Sequence, residues 1–305
     1  MQTSSRAIAP LVLKPKRISY LWGYEEWCIS AHARADCQIV GGVFNGWTLG
    51  RLWSEHRELF GAIEGDVFPL LVKVIDTDRD VSIQLHPDDS YAREHENGAL
   101  GKSECWYVMG LSRGTTTAVL GNQAKDRKDA ERMIRGRQWS QFLREVPIRV
   151  GSFVQIDPGT IHSAHGGTRF LETQENSDIT YRLYDYDRLE NGVPRQLHTE
   201  QAIACVRAPD PTQVENPRME EREFGKYAHL VDRPSYSTDI YVIEGKMRAE
   251  FRHAFTTVSI VAGRGSIGRV PVEEDTYLIL PFGLGPHEWE GNFTALVSWP
   301  PDSQS

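Results

Sequence analysis

Two histidines, a glutamate and a glutamine sit where a metal ion could be gripped. They fall in three short segments: Gln84-Leu85-His86, Gly101-Lys102-Ser103-Glu104 and Pro158-Gly159-Thr160-Ile161-His162. Side chains two positions apart on a strand point to one face, so Gln84 and His86 offer two ligands from a single strand. Glu104 opens an apolar run, and His162 follows a Pro-Gly turn. Two imidazoles, one carboxylate and one amide oxygen suit a divalent transition metal, zinc first among them. Each residue alone is weak evidence, because a single His near a strand end is usually a satisfied surface or core side chain. The set gains meaning only in a fold that gathers several strand ends.

The surrounding pattern predicts such a fold. Residues 68–85 give two β-branched runs separated by an Asp/Arg turn, and 105–109, 115–120, 152–156, 169–173 and 180–184 read as further strands. Between 124 and 146 the apolar residues recur at helical spacing, which predicts two short helices divided by Gly136, with Asp126 as N-cap. Helix is otherwise scarce before residue 124, and a short one is expected at 200–206. The Pro-rich stretch 208–217 reads as a linker. Strands return at 240–243, 255–261, 277–280 and 294–299. A weak repeat supports two related halves, since 151–159 and 275–283 both run up a strand into a Pro/Gly turn. The expected architecture is mainly β: a sandwich or jelly roll over 1–207 with a helical insert at 124–146, a linker region at 208–235, and a second jelly-roll-like half at 236–305 without metal ligands.

Composition narrows the function classes. The 305 residues are 40% hydrophobic and 25% charged, ordinary for a globular protein, and a net charge of −8 gives no global field toward nucleic acid or an anionic membrane. Any anionic substrate must therefore meet a local basic patch. The arginines at 127, 132, 135 and 137 read as a solvated helix face rather than a nucleic-acid site. No apolar run approaches the roughly 18 residues of a membrane span, and Arg6, Lys14, Lys16 and Arg17 interrupt the first twenty residues, so neither anchor nor signal peptide is expected. Four cysteines without a C-x-x-C pair point to a reduced, cytoplasmic setting.

Longer motifs carry a resemblance. V-S-I-Q-L-H-P-D-D-S-Y-A at 81–92, H-E-N-G-A-L-G-K-S-E-C-W-Y-V at 95–108, G-T-I-H at 159–162 and E-T-Q-E-N-S-D-I-T-Y-R-L-Y-D-Y-D-R at 172–188 together resemble type I mannose-6-phosphate isomerase, in its shorter bacterial form. Further segments keep the family order, from Trp22-Gly23 through Phe68-Pro69-Leu70-Leu71-Val72-Lys73 to Leu197-His198, so the likeness runs from about residue 10 to 205. Cys28 departs from a usual Glu and Asp157 from a usual Pro.

The resemblance implies a cupin-type jelly roll for the first half and a zinc-dependent interconversion of mannose 6-phosphate and fructose 6-phosphate by proton transfer through an enediolate. It implies one zinc per chain on Gln84, His86, Glu104 and His162, catalytic roles for Arg182, Lys102 and Asp178, and substrate contacts from Lys73, Lys102 and Arg182. A sugar phosphate is then the partner, and the chain a monomer or a homodimer. The proton-transfer base stays open among Asp178, Lys102, His32 and a metal-bound water. Without the family likeness, Arg182 would be read as an ion-pair partner of Asp178 or Asp185. Two rivals share the residues: an iron cupin oxygenase using His86, Glu104 and His162, and a non-catalytic sugar-phosphate-binding relative.

Overall fold

The computed structural model describes residues 8–61 and 63–301. Arg6 and the extreme ends of the two expected domains lie outside the described residues. Among those described, 23 strands stand against five α-helices and one 3-10 helix, and antiparallel pairs occur in each of the four sheets. The protein is mainly β, as the short alternating runs predict.

The chain forms two compact units, one from residues 17–26 and 72–216, the other from residues 8–16, 27–71 and 217–301. This differs from the boundary expected at 207. Strand Leu11–Lys14 pairs with Tyr277–Pro281 on one side and Gln38–Val40 on the other. Phe60 and Phe68 pack their rings against Phe255. The contacts with Tyr277–Pro281 and Phe255 join residues over 180 positions apart, which no local pattern reports. The expected linker region also carries structure, in strands Val214–Glu215, Glu220–Arg222 and Gly225–Asp232. The C-terminal strands are longer than their apolar runs, with Ser237–Ala249, Phe255–Ile267 and His287–Trp299 each extending over 13 residues.

Two sheets shape the unit that holds the candidate ligands. One has the order Val214–Glu215, Phe153–Ile156, Glu104–Leu111, Thr168–Glu175, Leu70–Thr77, Gly23–Ile29, Lys16–Tyr20. The other runs Tyr181–Tyr184, Ile83–Leu85, His162–Ala164, Thr117–Asn122, Leu143–Pro147. Trp106, Val108, Val154 and Phe170 from the first sheet and Ala118, Leu120 and Ala164 from the second share one buried cluster, so the two faces enclose a core. The outer face of the second sheet is covered by helices. Ile83, Leu85, Val119 and Leu183 pack there against Ala130, Met133 and Ile134 of helix Arg127–Arg135 and Ala202 of helix Thr199–Cys205. Full burial of each such aliphatic side chain contributes about 1.5–3 kcal/mol. With Ile83 and Leu85 committed to the helices, the period of two turns Gln84 to the enclosed side.

The insert keeps its predicted start, with Asp126 accepting from the Asp129 amide, and its Gly136 break. The second helix, expected to reach 146, stops after one turn at Trp139–Phe142, because Leu143–Pro147 pairs with Thr117–Asn122 instead. Two helices before residue 124 went unpredicted, Leu49–Glu55 capped by Thr48 and Asp89–His95 capped by Asp88.

Gly101 fixes the path of the loop that carries Lys102. A Cβ there would fall 2.4 Å from the backbone of Asp88 and Asp89, at the start of helix Asp89–His95. Its amide donates to Asp89 Oδ1 at 2.8 Å, and the next amide, of Lys102, donates to Pro87 O at 3.0 Å. Gly101→Ala should therefore lower stability by about 1–3 kcal/mol through backbone displacement. Urea denaturation checks this, and an unchanged midpoint contradicts it.

Candidate active site

Strand pairing brings the sequence-predicted residues together. Gln84 stands opposite His162 on one side and opposite Arg182 on the other. Glu104 begins its strand in the facing sheet, between Ile156 and Gln174. His86 continues beyond the end of Ile83–Leu85, and ligand atoms of His86, Glu104 and His162 lie within 4.8 Å of one another. All three residues are buried, with Glu104 and His162 at 0% exposure.

The histidine tautomers follow from their partners. His86 Nδ1 lies 2.7 Å from Ile179 O and His162 Nδ1 lies 2.9 Å from Thr160 O. A carbonyl only accepts, so each Nδ1 carries the proton and each Nε2 presents a lone pair to the cluster. Those lone pairs face Glu104, at 3.6 Å from His86 Nε2 to Oε2 and 3.3 Å from His162 Nε2 to Oε1. Glu104 Oε1 is buried without a hydrogen-bond donor. Acceptors converging on one point in a dry interior are costly unless a cation completes them. The donor set therefore fits a divalent metal, with backbone carbonyls orienting both imidazoles.

Gln84 belongs to the same group in a different posture from the expected one. Its Nε2, not its oxygen, lies toward His162 Nε2 at 3.4 Å, while Oε1 accepts from Ser82 Oγ at 3.0 Å. A serine hydroxyl accepts as readily as it donates, so a half-turn of the amide keeps Ser82 satisfied and directs the oxygen inward.

A chain of buried charges runs away from the cluster. Lys102 Nζ lies 2.5 Å from Glu104 Oε2, 3.3 Å from His86 Nε2 and 3.5 Å from Glu172 Oε1. Lys73 Nζ lies 3.4 Å from Glu172 Oε1 and 3.6 Å from Glu25 Oε2. The indole of Trp106 donates to Glu172 Oε2 at 2.9 Å. Neither lysine is the surface residue its type suggests, since both are 4% exposed. Burial alone disfavours the charge on Lys102, but Glu104 and then Glu172 outweigh it and hold the ammonium above its ordinary pKa. Burial likewise disfavours ionised Glu104, and Lys102 overrides it, keeping that carboxyl well below the usual range. Burial and then Glu104 push Glu172 upward. Burial, reinforced by Lys102, takes the His86 imidazole down to about 3, and burial also lowers His162.

Arg182 lies beside this group on strand Tyr181–Tyr184. Its Nη1 donates to Gln196 O at 2.9 Å, and its buried Nε has no acceptor. The expected alternative of a pair with Asp185 is not what forms, because Arg188 and Arg195 take that carboxylate. Asp178 is half-buried in the turn before this strand, next to Ile179, whose carbonyl fixes His86. His32, the other base candidate, belongs to the second unit, where its ring packs edge-on against Trp27. Glu172 and Glu25 had no assigned role in the sequence. An acid at position 172 within the buried strand Thr168–Glu175 was the available signal.

The fold and cluster define a β-sandwich protein with an internal two-histidine, one-carboxylate site. The family model described as phosphomannose isomerase type I, catalytic domain, matches residues 13–107. Mannose-6-phosphate isomerase ManA of Bacillus subtilis is 34% identical over 95% of this chain and 98% of its own length. The mannose-6-phosphate isomerase of Streptococcus mutans is 35% identical over 90% of the chain and 87% of its own. The crystal structure of the mannose 6-phosphate isomerase from Bacillus subtilis superposes with a TM-score of 0.91 over 95% of this chain and 99% of that one, at 34% identity. The apo form of the enzyme from Salmonella typhimurium, 11% identical with a TM-score of 0.74 over 95% of this chain and 99% of that one, shares the fold. The chain belongs to the type I phosphomannose isomerase family.

The buried neutral imidazoles give a signed pH prediction. In the unfolded chain His86 and His162 protonate near 6.5, whereas folded His86 does so only at about 3. The unfolded state thus binds more protons as pH falls through that window, and stability falls with it. Depressed Glu104 adds to the loss below about 4.5. The thermal midpoint of chelator-treated protein should drop between pH 7.5 and 5, and a flat or rising midpoint contradicts the assignment.

Proposed function

We propose that this chain is a metal-dependent aldose–ketose isomerase that interconverts mannose 6-phosphate and fructose 6-phosphate, with one zinc ion held by Gln84, His86, Glu104 and His162. The observation that carries the reading is the convergence of two imidazole lone pairs and a buried carboxylate in a chain 34% identical, over 95% of its length, to a mannose-6-phosphate isomerase.

Moving a carbonyl between neighbouring carbons means removing a proton from one, passing through an enediolate and returning the proton to the other. The barrier is the negative charge that builds on oxygen. A divalent cation bound by this donor set supplies Lewis-acid polarisation of the substrate oxygens. Glu104 brings one negative charge to the site, Gln84 and the neutral histidines bring none, and a net charge of about +1 remains to favour an electron-rich species. Lys102 adds a second fixed cation, held at Nζ by Glu104 and Glu172. Arg182 keeps its proton near neutral pH and stands opposite Gln84 on the paired strand, which suits its guanidinium to an oxyanion or to the phosphate. In this reading Asp178 accepts the proton, and Lys102, held protonated by Glu104 and Glu172, is confined to donating one. Lys73 supports the cationic wall through Glu172.

Two substitutions separate the roles. Gln84→Glu should reduce turnover more than it reduces zinc content, because it cancels the residual positive charge while adding a good ligand. Equal activity at equal metal occupancy refutes that. Arg182→Ala should cost on the order of 10²–10³ in kcat/KM. The direct test couples mannose 6-phosphate turnover to a downstream dehydrogenase, with chelator and with zinc restored. Turnover that stops with chelator and returns with zinc supports the proposal. Absence of turnover in the zinc-loaded protein, or oxygen uptake by an iron-loaded form, overturns it.

A further inference from the structure

Arg182 is oriented by backbone rather than by a carboxylate, and that backbone is itself held by a buried ion pair. Asp185, 4% exposed, receives Arg195 through both ends of its guanidinium, Nε to Oδ2 at 2.7 Å and Nη2 to Oδ1 at 2.5 Å. Arg188 also donates to Asp185 Oδ1, and its Nη1 reaches Asp80 O at 2.6 Å. Between these partners the chain turns back on itself. Strands Leu189–Glu190 and Val193–Pro194 pair around Asn191-Gly192, both at positive φ, the dihedral signature of a tight hairpin turn. Leu189 and Val193 are 55% and 64% exposed, so apolar burial does not fix this hairpin.

The residues after Arg195 return to Arg182. Gln196 O accepts from Arg182 Nη1, His198 N donates to Arg182 O at 2.8 Å, and His198 Nδ1 accepts from Arg182 N at 3.2 Å. The segment from 196 to 198 therefore sets where the Arg182 guanidinium points, and the bidentate pair of Arg195 with Asp185 sets the segment. A fork-to-carboxylate contact fixes angle as well as distance, which a lysine in the same place does not.

We propose that Arg195 and Asp185 are positioning residues for Arg182: their buried pair locks the 185–198 hairpin so that the Gln196 carbonyl holds the guanidinium in place on the strand position opposite Gln84. Neither residue is asked to touch substrate. The proposal rests on the role given to Arg182 above and deepens it, since it names what gives that arginine its geometry. Displacing a positioned group by about 1 Å costs up to roughly 10²-fold in rate.

The test is a double-mutant cycle on the full zinc-loaded protein, with crystal structures of the variants. Arg195→Lys keeps the charge and removes the fork, and should lower kcat 10- to 100-fold at unchanged zinc content and with KM moved less than fivefold. Asp185→Asn should give a similar loss. In an Arg182→Ala background, which has already lost the side chain being aimed, Arg195→Lys should cost less than twofold more. Multiplicative losses in the double variant, or wild-type kcat in both single variants, overturn the proposal. The structures decide independently of turnover: Arg182 Nη1 leaving Gln196 O in Arg195→Lys supports the lock, and a guanidinium that stays in place overturns it. If the wild-type protein fails to turn over mannose 6-phosphate, the functional reading falls while the structural arm still judges the lock.

Discussion

A carboxylate with no solvent exposure, facing two imidazole lone pairs, is the constraint on which the rest of the site depends. Glu104 cannot be satisfied by its own sheet, because its strand's backbone bonds are spent on neighbours at Ile156 and Gln174. Lys102 covers one oxygen and leaves the other bare. His86 and His162 cannot cover it either, since their protons point away to Ile179 O and Thr160 O. An interior that gathers acceptors in this way is stable only with positive charge supplied to it. The buried lysines, the fit to a divalent metal and the demand for a rigid surround all follow from that one arrangement.

The sandwich meets the demand by dividing labour between strand faces. On strand Ile83–Leu85 the two aliphatic residues bind the helical cover, which leaves the intervening Gln84 to the interior. Glu104 comes from the opposite sheet, so the two sheets must keep their spacing for the ligand atoms to stay within reach of one another. Trp106, two positions along from Glu104, packs against the His162 ring and donates to Glu172. One aromatic side chain thereby ties the core to both the candidate metal site and the lysine relay.

Much of this was legible in the sequence because strands report their faces with a period of two. The pairing of Gln84 with His86 could be read from spacing alone, and so could the strands at 105–109, 152–156 and 180–184. Glu104 and His162 could be placed at strand ends, but their meeting point depends on long-range register, which residue types do not encode locally. Lys73 and Lys102 look like surface residues by composition, and only the glutamates folded around them explain their burial. The same holds for Leu11–Lys14, whose partner strand Tyr277–Pro281 lies far along the chain. Leu197-His198 could be seen as a family-like segment, but its contact with Arg182 and the Arg195–Asp185 pair depend on where the chain folds back, which residue types do not report.

Anomalous diffraction at the zinc edge, on crystals of the protein purified without chelator, puts the ligand set of Gln84, His86, Glu104 and His162 to a direct test. One peak per chain is expected, about 2.0–2.2 Å from His86 Nε2, His162 Nε2 and a Glu104 oxygen, with the Gln84 amide oxygen turned toward it. A zinc-replete crystal with no density between these side chains, or with the ion bound elsewhere, contradicts it.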